Sequence, residues 1–109
     1  MSTPSRRERI EAMLADDPDD QMLRYGLALE LDKENDHQRS LAILQTLADD
    51  DAPYVPAYFM AGQQLTRLGR VQEARNVLRA GIEEARRQGN AHAAGEMGDL
   101  LTSLGSLGE

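Results

Sequence analysis

The segment Ala61–Gly69 reads AGQQLTRLG, and thirty-six residues further on Met97–Gly105 reads MGDLLTSLG. Five of the nine positions are identical: Gly62 and Gly98, Leu65 and Leu101, Thr66 and Thr102, Leu68 and Leu104, Gly69 and Gly105. A chain of 109 residues is the size of one domain. An echo inside so short a chain points to a structural unit built more than once.

The neighbouring residues say what the unit is. After Gly69, the small or apolar residues Ala74, Val77, Leu78, Gly81, Ile82 and Ala85 recur at the three-and-one spacing of one helix face. Before it, Tyr58, Ala61, Gly62, Leu65 and Leu68 repeat that spacing, and Pro56 suits a first turn. Gly69 and Gly89 stand where helices end. Residues 55–88 are therefore predicted to be a helix–turn–helix pair. A step back by 34 residues lands Leu65 on Leu31, Gln72 on Gln38, Leu78 on Leu44, Gly62 on Ala28, Ala74 on Ser40 and Gly69 on Asn35. Glycine and asparagine are the two residues that best tolerate a left-handed helix end. Earlier still, Ile10, Met13 and Leu14 supply one more helix, opened by a capping box from Ser5 to Glu8. The final echo slips to 36 through two extra residues near Gln88–Asn90, and Met97, Leu100, Leu101 and Leu104 make a last helical stripe.

The 34-residue period, small residues at Ala28 and Gly62, Leu31 and Leu65 three further on, Gly69 in the turn, then Ala74 and Leu78, and Pro18 and Pro53 after the second helices resemble the tetratricopeptide repeat, in the form of a small bacterial-type member. Three features depart from the usual pattern: Arg24 replaces a bulky aromatic, Ser40 replaces an alanine, and Leu31 and Leu65 replace a tyrosine. The resemblance implies an all-α protein, a right-handed α-solenoid of antiparallel helix pairs with about six helices. It divides residues 1–109 into an N-terminal half-repeat helix (5–17), a first repeat (20–52), a second repeat (54–88) and a C-terminal capping helix (91–105).

One stretch could be misread. Leu23–Leu31, LRYGLALEL, alternates apolar and polar like a strand. It holds no β-branched residue and is rich in helix formers, and no other strand is available to pair with it. Read as a helix it has two apolar faces: Leu23, Leu27 and Leu31 on one, Met22, Tyr25 and Leu29 on the other.

In a stacked helical array the first helices of successive repeats line the concave surface. The resemblance places Met22, Tyr25, Leu29, Asp32 and Lys33 there, then Phe59, Gln63, Thr66 and Arg67, then His92, Asp99 and Thr102. Tyr25 and Phe59 occupy equivalent positions. They are read either as anchors for a partner or as plain core. The lysine, asparagine and arginine clamp of chaperone adaptors is missing, since those positions hold Tyr25, Leu29, Met60, His92 and Glu96. The expected function is a non-enzymatic adaptor that binds a protein or peptide segment in the concave groove. The alternative is a self-associating scaffold, a homodimer, held through a terminal helix whose Leu100, Leu101 and Leu104 lack cover.

Other chemistry is excluded step by step. With 19 acidic against 12 basic residues the net charge is −7, which speaks against nucleic acid and anionic membranes. No cysteine is present, so no disulfide or thiolate site is expected. The start has no long apolar run, and a cytoplasmic location is expected. DDPDD (Asp16–Asp20) and DDD (Asp49–Asp51) are read as helix-capping loops rather than cation sites. Asp32, Glu34 and Asp36 lack the glycine and the final acid of a calcium loop. Arg75, Arg79, Arg86 and Arg87, interspersed with glutamates, read as a solvated face with a helpful Glu83–Arg87 pair. No catalytic residue, metal site or cofactor is predicted.

Overall fold

The computed structural model describes residues 2–105. Among them are six helices and no strand: α1 (Arg6–Asp16), α2 (Gln21–Lys33), α3 (His37–Ala48), α4 (Val55–Arg67), α5 (Val71–Arg87) and α6 (Ala91–Leu104). Each packs on the next in chain order, and α4 also meets α6. The molecule measures 52 × 29 × 19 Å, the elongated outline of a helical repeat solenoid.

Local chemistry sets the helix ends. The Ser5 Oγ accepts from the Glu8 N–H at 3.1 Å while the Glu8 carboxylate accepts from the Ser5 N–H at 3.0 Å, so the capping box forms. Asp20, Asp36 and Asn90 cap α2, α3 and α6 in the same one-sided way. Three turns share one geometry. Asn35, Gly69 and Gly89 have φ of 64°, 76° and 74°, and the next residue donates its N–H to the carbonyl five back, Leu31, Leu65 and Ala85 respectively. This closure satisfies carbonyls the helix leaves open. Gly105, the counterpart of Gly69 in the repeated segment, differs from it: its φ is −59°, right-handed, so it does not end α6 as Gly69 ends α4.

The acidic run at residues 49–51 does not cap the following helix. Tyr54 is the N-cap of α4 and gives no side-chain cap. Asp50 instead takes both terminal nitrogens of Arg24, at 2.6 and 3.1 Å, and a bond from Gln21 at 3.0 Å. Arg24, in the place of the usual aromatic, thus ties α2 to the end of α3. The hydrogen bond from Arg24, and then that from Gln21, hold the Asp50 carboxyl below the usual carboxylate range. A depressed carboxylate adds stability that is fully present above its unfolded value of about 3.9 and is lost as pH falls through the lower folded value. Urea unfolding of Asp50→Asn against wild type is therefore expected to show a stability deficit at pH 7 that closes towards pH 3. A deficit independent of pH would refute the role of this pair.

The core forms three clusters. Ile10, Leu27 and Leu31 join α1 to α2; Ala28, Leu44, Leu47, Ala57 and Ala61 join α2, α3 and α4; Leu65, Leu78, Ile82, Met97 and Leu104 lie in the largest, among α4, α5 and α6. Leu104 is 1% exposed, and Leu100 and Leu101 pack partly buried on the same cluster. The terminal leucines therefore have cover within one chain, contrary to the expectation. The arginine face is also corrected in part. Arg75 is buried and donates to the Leu104 carbonyl at 2.5 Å, and Arg87 bonds buried Glu84, not Glu83.

Ser40, where an alanine is usual, has a structural task. Buried Gln64 donates from Nε2 to Ser40 Oγ at 3.0 Å, and Ser40 donates to the Ala28 carbonyl at 2.6 Å. This buried chain of bonds links α4, α3 and α2. Ser40→Ala is expected to lower stability by about 1–2 kcal/mol by stranding the Gln64 amide. Adding Gln64→Met is expected to recover most of that loss, because no donor is then left unmet. A double-mutant cycle in urea gives the coupling, and additive losses would contradict it.

Candidate functional site

The residues expected on the concave face fall on α2, α4 and α6. On α2, Met22 is 75% exposed. Tyr25 is half-buried against the second cluster, with its ring 5.5 Å from that of Tyr54. Burial pushes its hydroxyl pKa up. Leu29 is half-buried and belongs to none of the three clusters. On α4, Phe59 is half-buried against the largest cluster, and Gln63 is half-buried. Thr66 Oγ1 donates back to the Gly62 carbonyl at 2.7 Å. Arg67 is mostly exposed, yet its Nη2 donates to Asp32 Oδ2 at 3.0 Å. The other Asp32 oxygen lies 2.7 Å from His37 Nδ1. On α6, His92 pairs with Glu96 at 3.0 Å in solvent, and Asp99 and Thr102 are exposed.

Two links join α2 to α4. Tyr25 meets Tyr54 just before α4 starts, and Asp32 meets Arg67 where α4 ends. The helices therefore run side by side in the same direction. Asp32 and Arg67, both expected on the concave face, neutralise each other.

Sequence reasoning missed two concave features. The first is a cavity of ≈ 440 Å³ between α3 and α5, floored by Ala57, Ala61 and Leu65 of α4 and walled by Leu44 and Val77. At about 100° per residue these floor positions lie on the side of α4 opposite Phe59, Gln63 and Thr66. Its signal in the sequence was a set of alanines, Ala48, Ala57, Ala61 and Ala80, which leave room above a helix. The second is a shallow hollow along α6 lined by Ala91, Gly95, Gly98 and Thr102. Here the repeated glycine separates into two roles. A Cβ at Gly62 would lie 2.5 Å from Leu78 Cδ2, so that glycine lets α5 close on α4. A Cβ at Gly98 would meet nothing within 4 Å among the described residues, so Gly98 serves no close approach among them.

Among the described residues, no group of three or more His, Asp or Glu side chains is placed to hold a metal ion.

Several solved structures are similar. The solution NMR structure of a tetratricopeptide repeat domain protein from Salinibacter ruber has a TM-score of 0.77 and 33% identity, covering 83% of this chain and 91% of that one. A crystal structure of a tetratricopeptide repeat domain protein from the same organism gives 0.72 and 33%, covering 81% and 99%. The solution structure of a protein from Bordetella parapertussis gives 0.78 at 27% identity, covering 94% and 89%. No protein-family model matches the chain, and neither does any curated protein.

Proposed function

The chain belongs to the tetratricopeptide repeat family, and on that ground we propose that it is a non-enzymatic adaptor holding a peptide or helix of a partner protein in the concave groove of α2, α4 and α6. The fold is one of protein-interaction repeats, and the reading takes the chain as one domain with repeats at 20–52 and 54–88 between the helices at 5–17 and 91–105. Met22, Tyr25, Leu29, Phe59, Gln63, Thr66, Arg67, His92 and Asp99 are the residues assigned to the partner. The observation that carries this is the second apolar stripe of α2: Met22 stands 75% exposed beside half-buried Leu29, and neither belongs to a core cluster. Exposed apolar stripes at helical spacing suit a partner's apolar anchors. Among the described residues no helix is long and apolar enough to cross a membrane.

The test is a variant that blocks the stripe without touching the core. Met22 lies in the first turn of α2, where a carboxylate is favourable. Met22→Glu with Leu29→Gln is expected to melt within a few degrees of wild type, and to capture the partner from native cell extract at least tenfold more weakly. Equal capture by both proteins would reject the groove.

Self-association is a second reading, and one observation favours it, though not the one expected. The leucines of α6 are covered, but its Ala91–Gly95–Gly98–Thr102 side is open where the equivalent side of α4 receives Leu78. Light scattering across concentration decides it, and a monomer throughout, in wild type as in Gly98→Glu, rejects it.

A further inference from the structure

The cavity between α3 and α5 has unlike ends. The two helices lie on either side of α4 and scarcely touch each other. At one end Arg70 donates to both oxygens of Glu73, at 2.6 and 2.8 Å, a pair that cancels its own charge. At the other end stands Asp49, the C-cap of α3. Its carboxylate accepts only from Gln45, at 3.2 Å, and makes no ion pair among the described residues. A helix C-terminus is itself partly negative, and the last turn of α3 carries no basic residue to offset it. The nearby cations are engaged elsewhere, Arg24 with Asp50 and Arg87 with Glu84. An apolar floor thus leads to a carboxylate that lacks a counter-charge.

We propose that this groove, distinct from the concave face, takes a segment of a partner protein that lays an apolar side chain on Leu41, Val77 and Ala80, above the buried Ala57 and Ala61, and sets an arginine or lysine against Asp49. From Leu41 to Asp49 the α3 wall spans eight residues, roughly 12 Å. That is room for an apolar anchor and a cation about one helical turn apart. Arginine and lysine suit the acidic end because their aliphatic stems lie along apolar surface while the charged head stays partly in water. An acidic segment is repelled both by Asp49 and by the chain's net charge of −7.

The experiment uses three acetylated, amidated pentapeptides, Leu-Ala-Ala-Ala-X, with X as arginine, norleucine or glutamate, titrated into the full chain and followed by methyl NMR. The arginine peptide is expected to shift Leu41, Val77 and Ala80 and to bind about fivefold tighter than the norleucine peptide, with glutamate weakest. Asp49→Asn, or about 0.5 M salt, is expected to remove the arginine advantage. Ala80→Leu, on the exposed wall, is expected to abolish binding of all three while the melting curve stays unchanged. Equal binding of arginine and norleucine, a preference for glutamate, or no shift at all overturns the proposal. Shifts confined to Met22 and Leu29 overturn it too, while leaving the concave reading intact.

Discussion

Gly81→Ala is expected to lower the melting temperature by roughly 10 °C, following from about 2 kcal/mol of lost stability in a domain of this size. Gly81 is buried in the middle of α5, where glycine is normally a liability worth up to about 1 kcal/mol relative to alanine. A Cβ there would stand 2.6 Å from Tyr58 Cβ and 2.6 Å from Met97 Sδ. Tyr58 Cβ is fixed to the α4 backbone and cannot swing aside. Met97 is 0% exposed, so its side chain has no route to solvent. The methyl group therefore has to push α4 and α6 away from α5. Overpacking of this kind costs about 1–3 kcal/mol. With two such contacts the upper end applies, and the gain in helix propensity offsets only part. Gly95→Ala and Gly98→Ala in α6 are expected to do the reverse, gaining about 0.5–1 kcal/mol, since an added Cβ meets nothing within 4 Å among the described residues at either place. Thermal melts followed by circular dichroism test both signs at once. A Gly81→Ala protein that melts at or above wild type would show that the three helices do not close as described.

The contrast between these glycines marks how far the sequence could be read. Patterns with local causes were legible. The α5 stripe, the Ser5–Glu8 box and the left-handed turns at Asn35 and Gly69 depend on residues a few positions apart, and each has a periodicity or a capping rule. What a side chain meets across the fold has no such rule. Arg24 with Asp50, Gln64 with Ser40 and Arg75 with Leu104 are separated by 26, 24 and 29 residues. Read locally, Arg75 looked like one more solvated charge and Ser40 like a departure from the family pattern. The repeat itself misled at one point. Gly62 and Gly98 carry the same letter in the same register, but among the described residues only Gly62 has a following helix packed on it. The groove between α3 and α5 was hidden for a related reason. It exists because two helices scarcely touch, and a sparse contact leaves only a few alanines as its trace.

The double variant Tyr25→Ala/Phe59→Ala is expected to lose about 4–5 kcal/mol, from about a third to nearly all of the stability of a domain that begins with about 5–15 kcal/mol. Each ring is half-buried, so each truncation costs about half the 3–5 kcal/mol of a fully buried aromatic, with the Tyr25–Tyr54 contact adding to the first. The two rings pack on different clusters, Tyr25 among α2, α3 and α4 and Phe59 among α4, α5 and α6, so the losses are expected to add. Urea unfolding of the two single variants and the double variant measures this directly. A double variant within 1 kcal/mol of wild type would show that the rings are not core. The expected result also decides how binding must be tested. A ring that packs inward on one face can offer a partner only its outer edge, so deleting it removes the scaffold together with the contact. Loss of capture by that variant would therefore carry no information about the groove. Met22→Glu with Leu29→Gln separates the two effects, because those side chains stand beside Tyr25 but outside the clusters. Loss of capture with the fold intact assigns the partner to the α2 stripe, and retained capture removes it from there.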